Sequence, residues 1–179
     1  MPRLILLLAT VSTGLFAGFC FCYAVVVVPM LSHLDDEEYV TMMRKLNNEV
    51  PGVPFFLVLA GSVVSTLVAL GLHTPLHPTR ETWLIAAAAV CCLAAVVITV
   101  TGNVPMNGRL SSAATDSAAA YHHARLVFES TWNTLHMVRT LLLVAGLVLL
   151  SIACLRSPAT AVAAARAVAE GVLSPALSH

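Results

Sequence analysis

Four long apolar blocks set the limits on what this chain can fold into. Leu4 to Leu31 is nearly continuous, broken only by small or hydroxyl residues, and Phe55 to Leu72, Trp83 to Val100 and Leu135 to Leu155 are the others. Each is near the ~20 residues that a helix needs to cross about 30 Å of hydrocarbon. Charged residues make up only 10% of the chain, far below the roughly 25% of soluble domains. Four spans in 179 residues leave room only for short connections. Residues 1–156 therefore read as one all-α, four-helix transmembrane bundle, and residues 157–179 as an Ala-rich tail.

Arg3 ahead of the first block resembles the start of a secretory signal, but the apolar run continues to Pro29. That exceeds the ~7–15 residues of a signal core, so a retained span is predicted, ended or kinked by Pro29. The formal net charge is zero and no basic cluster occurs, which leaves nucleic-acid binding without support. All five cysteines, Cys20, Cys22, Cys91, Cys92 and Cys154, lie inside apolar blocks and form no Cys-x-x-Cys pair. They read as buried small hydrophobes. Thr10, Gly14, Gly18 and Cys22 recur every four residues. Such a stripe lets another helix approach closely, either inside the bundle or in a homodimer through Gly14 and Gly18.

The connections are expected to differ in character. Asp35 to Glu38 opens the first loop, where a helix N-terminus favours negative charge. Tyr39, Met42, Met43 and Leu46 then recur at helical spacing, which predicts a short amphipathic helix on the membrane surface or across the bundle mouth. Pro51, Gly52 and Pro54 force a turn before the second span. Pro75 separates His73 from His77 in the second loop and Pro78 follows, so the two share no helical face. The third loop is predicted from Thr101 to about Ala114, with Gly102 and Gly108 permitting tight turns around Pro105. From Asp116 a helix is expected to run unbroken into the fourth span, about 60 Å in all. Arg3, Arg80, Arg156 and Arg166 balance Arg44, Lys45, Arg109 and Arg125, so loop charge barely orients the bundle. The acidic residues lie mostly in the first and third loops, and the expectation is cytoplasmic termini, in the plasma membrane if the chain is bacterial.

The chemistry-bearing residues concentrate in one line. His122, Arg125, Glu129, Trp132, Asn133, His136 and Arg139 recur every three or four residues and share a helix face leading into the fourth span. Ionisable groups at the mouth of a membrane helix mark a functional site by default. His136 is the candidate for proton transfer, since an imidazole titrates near working pH. Glu129 lies two turns away and would reach it through Asn133. Arg139 would cost about 2.5–3.5 kcal/mol if left at mid-bilayer, so it should snorkel, pair with Glu129 through bridging groups, or hold an anionic substrate oxygen. Chain alternation places Asn47, Asn103 and Asn107 at the same end of the bundle. An internal polar network that only fixes helix register is the plainer alternative. No cofactor is predicted. Copper or iron held by His122, His123 or His136 with loop ligands is the remaining possibility, although His122 and His136 are roughly 21 Å apart along one helix.

Gly14-Leu-Phe-Ala-Gly18 through Tyr23 to Pro29, Leu46-Asn47 with the Pro-Phe-Phe that follows, Thr101-Gly-Asn-Val-Pro-Met-Asn107, and Trp132-Asn133 leading to His136-Met-Val-Arg139-Thr140 resemble the anthrone oxygenase-like family of small four-helix membrane proteins. The resemblance spans roughly residues 5 to 155. It implies four transmembrane helices and, from characterised fungal members, oxidation of anthrones to anthraquinones. Carried over by position, it makes Asn47, Asn103, Asn107, Trp132, Asn133, His136 and Arg139 the site. On that reading a small apolar aromatic enters from the lipid bilayer and its anion reacts with O2. His136 would be the base and Arg139 the anion stabiliser, with Glu129 and Asn133 assisting. Asn47, Asn103, Asn107 and Trp132 would hold the substrate. The alternatives are a metal-assisted oxygenase and a non-enzymatic membrane subunit or small-molecule binder.

Overall fold

A computed structural model describes residues 2–74 and 78–156. His77 and the Ala-rich tail lie outside the described residues. Those described are all-helical apart from short connections: α1 (Pro2–Ser32), α2 (Asp36–Glu49), α3 (Val53–Leu72), α4 (Arg80–Ser112) and α5 (Ala118–Arg156). Four of them, α1, α3, α4 and α5, are long and apolar enough to cross a membrane. Their outer faces carry large apolar side chains, among them Leu15, Leu57, Val90 and Leu141, suited to lipid contact.

Small residues set the packing. Gly146 of α5 lies against α4, where an added Cβ would sit 3.5 Å from Cys91 and Cys92 side-chain atoms and 3.6 Å from the Ala88 carbonyl oxygen. This close pairing is what small residues achieve between membrane helices. Gly14 of the predicted stripe is taken up by Leu147 of α5, whereas Gly18 has open space in front of it. Ala9, Phe16, Cys20, Ala88, Ala95, Leu143 and Leu150 fill the interior. Around the ring of spans the α3–α4 seam is the most loosely packed.

One expectation about prolines is narrowed and one is overturned. Pro29 does not end α1, and Thr101 to Ala114 is not a loop of turns. Both segments stay helical because a wide π turn precedes each proline: Tyr23–Val27 in α1 and Thr99–Asn103 in α4. The Val28 N–H bonds the Tyr23 carbonyl, and the Val104 N–H bonds the Thr99 carbonyl. A proline ring clashes with the carbonyl four residues earlier in a regular helix; the widened turn makes room, and the helix resumes. Neither Gly102 nor Gly108 adopts a positive φ. Gly102 marks close approach instead, since a Cβ there would meet Leu135 Cδ1 of α5 at 2.8 Å and the leucine would have to turn aside.

The amphipathic helix α2 forms as predicted, with Asp35 capping it by accepting the Glu38 N–H at 2.8 Å. Its buried face is Tyr39, Val40 and Met43, not Met42, which is exposed. These side chains pack on Tyr23, Leu31, Leu110, Phe128 and Trp132, so α2 closes one end of the bundle.

Candidate functional site

The line of polar residues on α5 divides into two groups. The outer group fastens α2. Arg125 donates to the Glu129 carboxylate at 2.7 Å, to Asp36 at 3.2 Å and to the Leu34 carbonyl at 2.7 Å, and its guanidinium lies 4.5 Å from the centre of the Tyr39 ring. His122 bonds Asp36 at 2.8 Å. That hydrogen bond, reinforced by Arg125, holds the Asp36 carboxyl below the usual carboxylate range. Burial pushes the Tyr39 hydroxyl well above its ordinary value. On the far side of α2, Arg44 donates to the Leu110 and Ala113 carbonyls at 3.0 and 2.7 Å. The acidic run thus does more than favour a helix start, because Asp36 ties α2 to α5.

Glu129 accordingly serves Arg125, not Arg139. Ten residues separate Glu129 from Arg139, about 15 Å along the helix, whereas Arg125 is one turn away. Asn133 is half-buried, and among the described residues its side chain makes no hydrogen bond that would link Glu129 to His136. The predicted bridge does not form.

The inner group lies deeper. Phe128, Trp132 and His136 follow one another at every fourth position of α5, and their rings stack. The Phe128 and Trp132 centroids are 5.8 Å apart; those of Trp132 and His136 are 5.0 Å apart with planes only 7° from parallel. Tyr23, from the π turn of α1, leans on Trp132 and His136 at 5.6 and 5.2 Å. His136 is 1% exposed. Its Nε2 donates to the Cys20 carbonyl at 3.0 Å, and its Nδ1 accepts from Arg139 Nε and Nη2 at 3.1 and 2.8 Å. A guanidinium can only donate, which fixes Nδ1 as the acceptor and the imidazole as neutral. Both ring nitrogens are therefore engaged, and the expectation that His136 takes a substrate proton directly does not match this arrangement. It orients Arg139.

Arg139 is 7% exposed. Besides His136 it donates to Thr99 Oγ1, in the π turn of α4, at 3.1 Å. Among the described residues no carboxylate pairs with it. It is a buried cation held by neutral acceptors, with part of its five-donor fork unassigned. An uncompensated buried charge is costly, and its retention within an apolar span points to use.

Arg139 lines a cavity of about 190 Å³ at the α3–α4 seam. Asn47 of α2, Asn103 and Asn107 of α4, Trp132, Tyr23 and Thr99 supply the other polar or amphipathic walls; Phe19, Phe55, Phe56 and Leu59 supply apolar ones. Trp132 donates its indole N–H to Asn107 Oδ1 at 2.8 Å, and Asn103 Nδ2 donates to the Trp132 carbonyl at 3.4 Å. On the lipid side the rim is formed by Phe56, Val100 and Val104, which are 55%, 59% and 55% exposed. The chamber is smaller than the ~300 Å³ lower bound of drug-sized pockets.

Of the residues singled out from sequence, Asn47, Asn103, Asn107, Trp132 and Arg139 meet in this cavity, with His136 behind Arg139. Glu129, Asn133, His122 and His123 stand apart. His123 lines a separate surface groove with Arg109, Leu110 and Phe128. Among the described residues no three of His, Cys, Asp and Glu come together as metal ligands, so His122, His123 and His136 do not assemble a donor set for copper or iron. Sequence reasoning missed Tyr23, Thr99, Phe19, Phe55 and Phe128. Only Phe128 had a readable signal, its four-residue spacing from Trp132 and His136.

The four long apolar helices, with one end capped by α2 and a buried guanidinium beside a chamber, are consistent with an integral membrane protein. The chain belongs to the anthrone oxygenase family, whose model matches residues 39–149, more than half of its length. That stretch holds every cavity residue except Phe19 and Tyr23. No curated protein and no solved structure matches the chain.

Proposed function

We propose that this protein is a membrane oxygenase for a small anthrone-like or phenolic substrate, and that Arg139 stabilises the substrate's oxyanion. The observation that carries the reading is the buried guanidinium facing a lipid-open aromatic chamber, with no carboxylate beside it among the described residues. An anthrone methylene is acidic because its anion is an aromatic oxyanion. Preorganised N–H donors aimed at that oxygen in a dry site lower the cost of forming the anion. The proton leaves through the cavity mouth, and the electron-rich anion reacts with O2. In balance, a methylene and O2 become a ring carbonyl and water. Trp132, Phe19 and Phe55 hold the flat rings, and Asn107 fixes the Trp132 indole.

The test is oxygen uptake by purified protein given anthrone, with Arg139→Met as the comparator. Losing an oxyanion donor should lower turnover by about 10²–10³-fold, while folding persists because a buried charge is replaced by an apolar chain. Full turnover by Arg139→Met refutes the role. Absence of uptake, with a stoichiometric partner co-purifying, favours a non-catalytic subunit; activity lost with copper or iron on chelation favours metal-assisted chemistry.

A further inference from the structure

Two buried polar atoms of the cavity lack hydrogen-bond partners among the described residues, and they are of opposite kind. Asn103 is 2% exposed; its Nδ2 is committed to the Trp132 carbonyl, which orients the amide, and its Oδ1 has no partner. Asn47 Nδ2 is likewise buried and unpaired. One is an acceptor and the other a donor, on two elements that face one chamber. Buried polar groups are nearly always satisfied, and unsatisfied ones in a cleft call for an explanation. Both atoms belong to side chains that line the chamber, and a ligand there with matching groups satisfies them once the amides turn toward it.

We propose that Asn103 and Asn47 determine specificity by reading a ligand that carries a free hydroxyl donor together with an oxygen acceptor. The inference rests on the cavity being the substrate site, as argued above. Asn103 Oδ1 accepts the hydroxyl, and Asn47 Nδ2 joins Arg139 in donating to the oxygen. The hydroxyl has to be free. One placed beside a ring carbonyl is already bonded to it internally and has no proton to offer Asn103. The preferred substrate class is therefore a hydroxylated aromatic ketone whose hydroxyl stands away from the carbonyl. Sites built to hydrogen-bond a substrate hydroxyl reject the analogue lacking it far more strongly than apolar pockets reject a missing methylene.

Binding can be read without turnover from the fluorescence of Trp132, in full-length protein carrying Trp83→Phe. The probes are β-hydroxyanthraquinone, which has a free hydroxyl, and anthraquinone, which is smaller and has none. The expected result is at least tenfold tighter binding of the hydroxylated probe, about 1.4 kcal/mol. Asn103→Leu should shrink that ratio below about threefold. Asn47→Ala should weaken both probes alike and leave the ratio unchanged. Equal affinity for the two probes in the parent protein, quenching by neither, or a tenfold ratio surviving in Asn103→Leu overturns the proposal. Oxygen uptake is measured separately with a β-hydroxyanthrone, which carries the free hydroxyl. A hydroxyl preference without uptake removes the oxygenase reading alone, and uptake without the preference removes this one alone.

Discussion

Replacing His136 separates a base from a residue that positions Arg139. Its Nδ1 takes two N–H groups of the Arg139 guanidinium, and its Nε2–H is tied to the Cys20 carbonyl. Hydrogen bonds to a charged group are worth about 1.5–3 kcal/mol. His136→Ala strands two of them on a buried cation, so a loss of about 3 kcal/mol in the placement of Arg139 is expected, near 10²-fold in turnover. His136→Gln offers an amide oxygen in place of Nδ1 and keeps a donor for the Cys20 carbonyl. If the imidazole only orients Arg139, His136→Gln should stay within about tenfold of wild type, with an unchanged pH profile. The assay is oxygen uptake with anthrone across pH 5–9 for the three proteins, each checked by thermal unfolding. A folded His136→Gln protein as inactive as His136→Ala, with the rising limb of the profile gone, would show that the imidazole itself carries the proton.

Further outcomes follow from the lid and the close helix contact. Asp36 has its carboxyl held below the ordinary carboxylate value, so its contribution to docking α2 is full above that value and fades as pH falls through the lowered one. Hydrogen exchange of α2 should therefore rise only below about pH 3.8, and in Asp36→Asn the added exchange should be present at neutral pH. Gly102→Ala pushes a methyl to 2.8 Å from Leu135 Cδ1 and should cost about 1–3 kcal/mol of overpacking. Leu135→Ala in the same chain should restore ligand binding, as measured by Trp132 quenching.

How much of this was legible beforehand depended on whether one segment alone held the information. The four spans, the amphipathic α2 and the long α5 are written in local hydropathy and periodicity, and those expectations match the structure. The third connection was misread because Gly-Asn-Val-Pro carries strong turn signals, and nothing in a window of residues shows that a π turn makes room for Pro105. Asn47, Asn103, Asn107, Trp132 and Arg139 were visible as polar residues in apolar surroundings at one end of the bundle. Their meeting in one cavity, the Arg125–Glu129 pairing and the double engagement of His136 depend on distances between segments. No periodicity records those distances. The walls made by Phe19, Tyr23 and Thr99 were hidden for the same reason, since each sits in an apolar block where it looks like ordinary lipid-soluble sequence.

The two wide turns carry a consequence for sequence comparison. Each winds one additional residue into an otherwise regular helix, and a residue advances an α-helix by about 100°. The Val-Pro-Met tripeptides at 28–30 and 104–106 both sit just past such a phase slip. Removing a single residue between Thr99 and Asn103 would be invisible to hydropathy yet would swing everything downstream in α4 by over a quarter of a circle, separating Thr99 from Asn107. Two chains of this kind can thus agree in spans, composition and length and still differ in whether they possess a chamber at all.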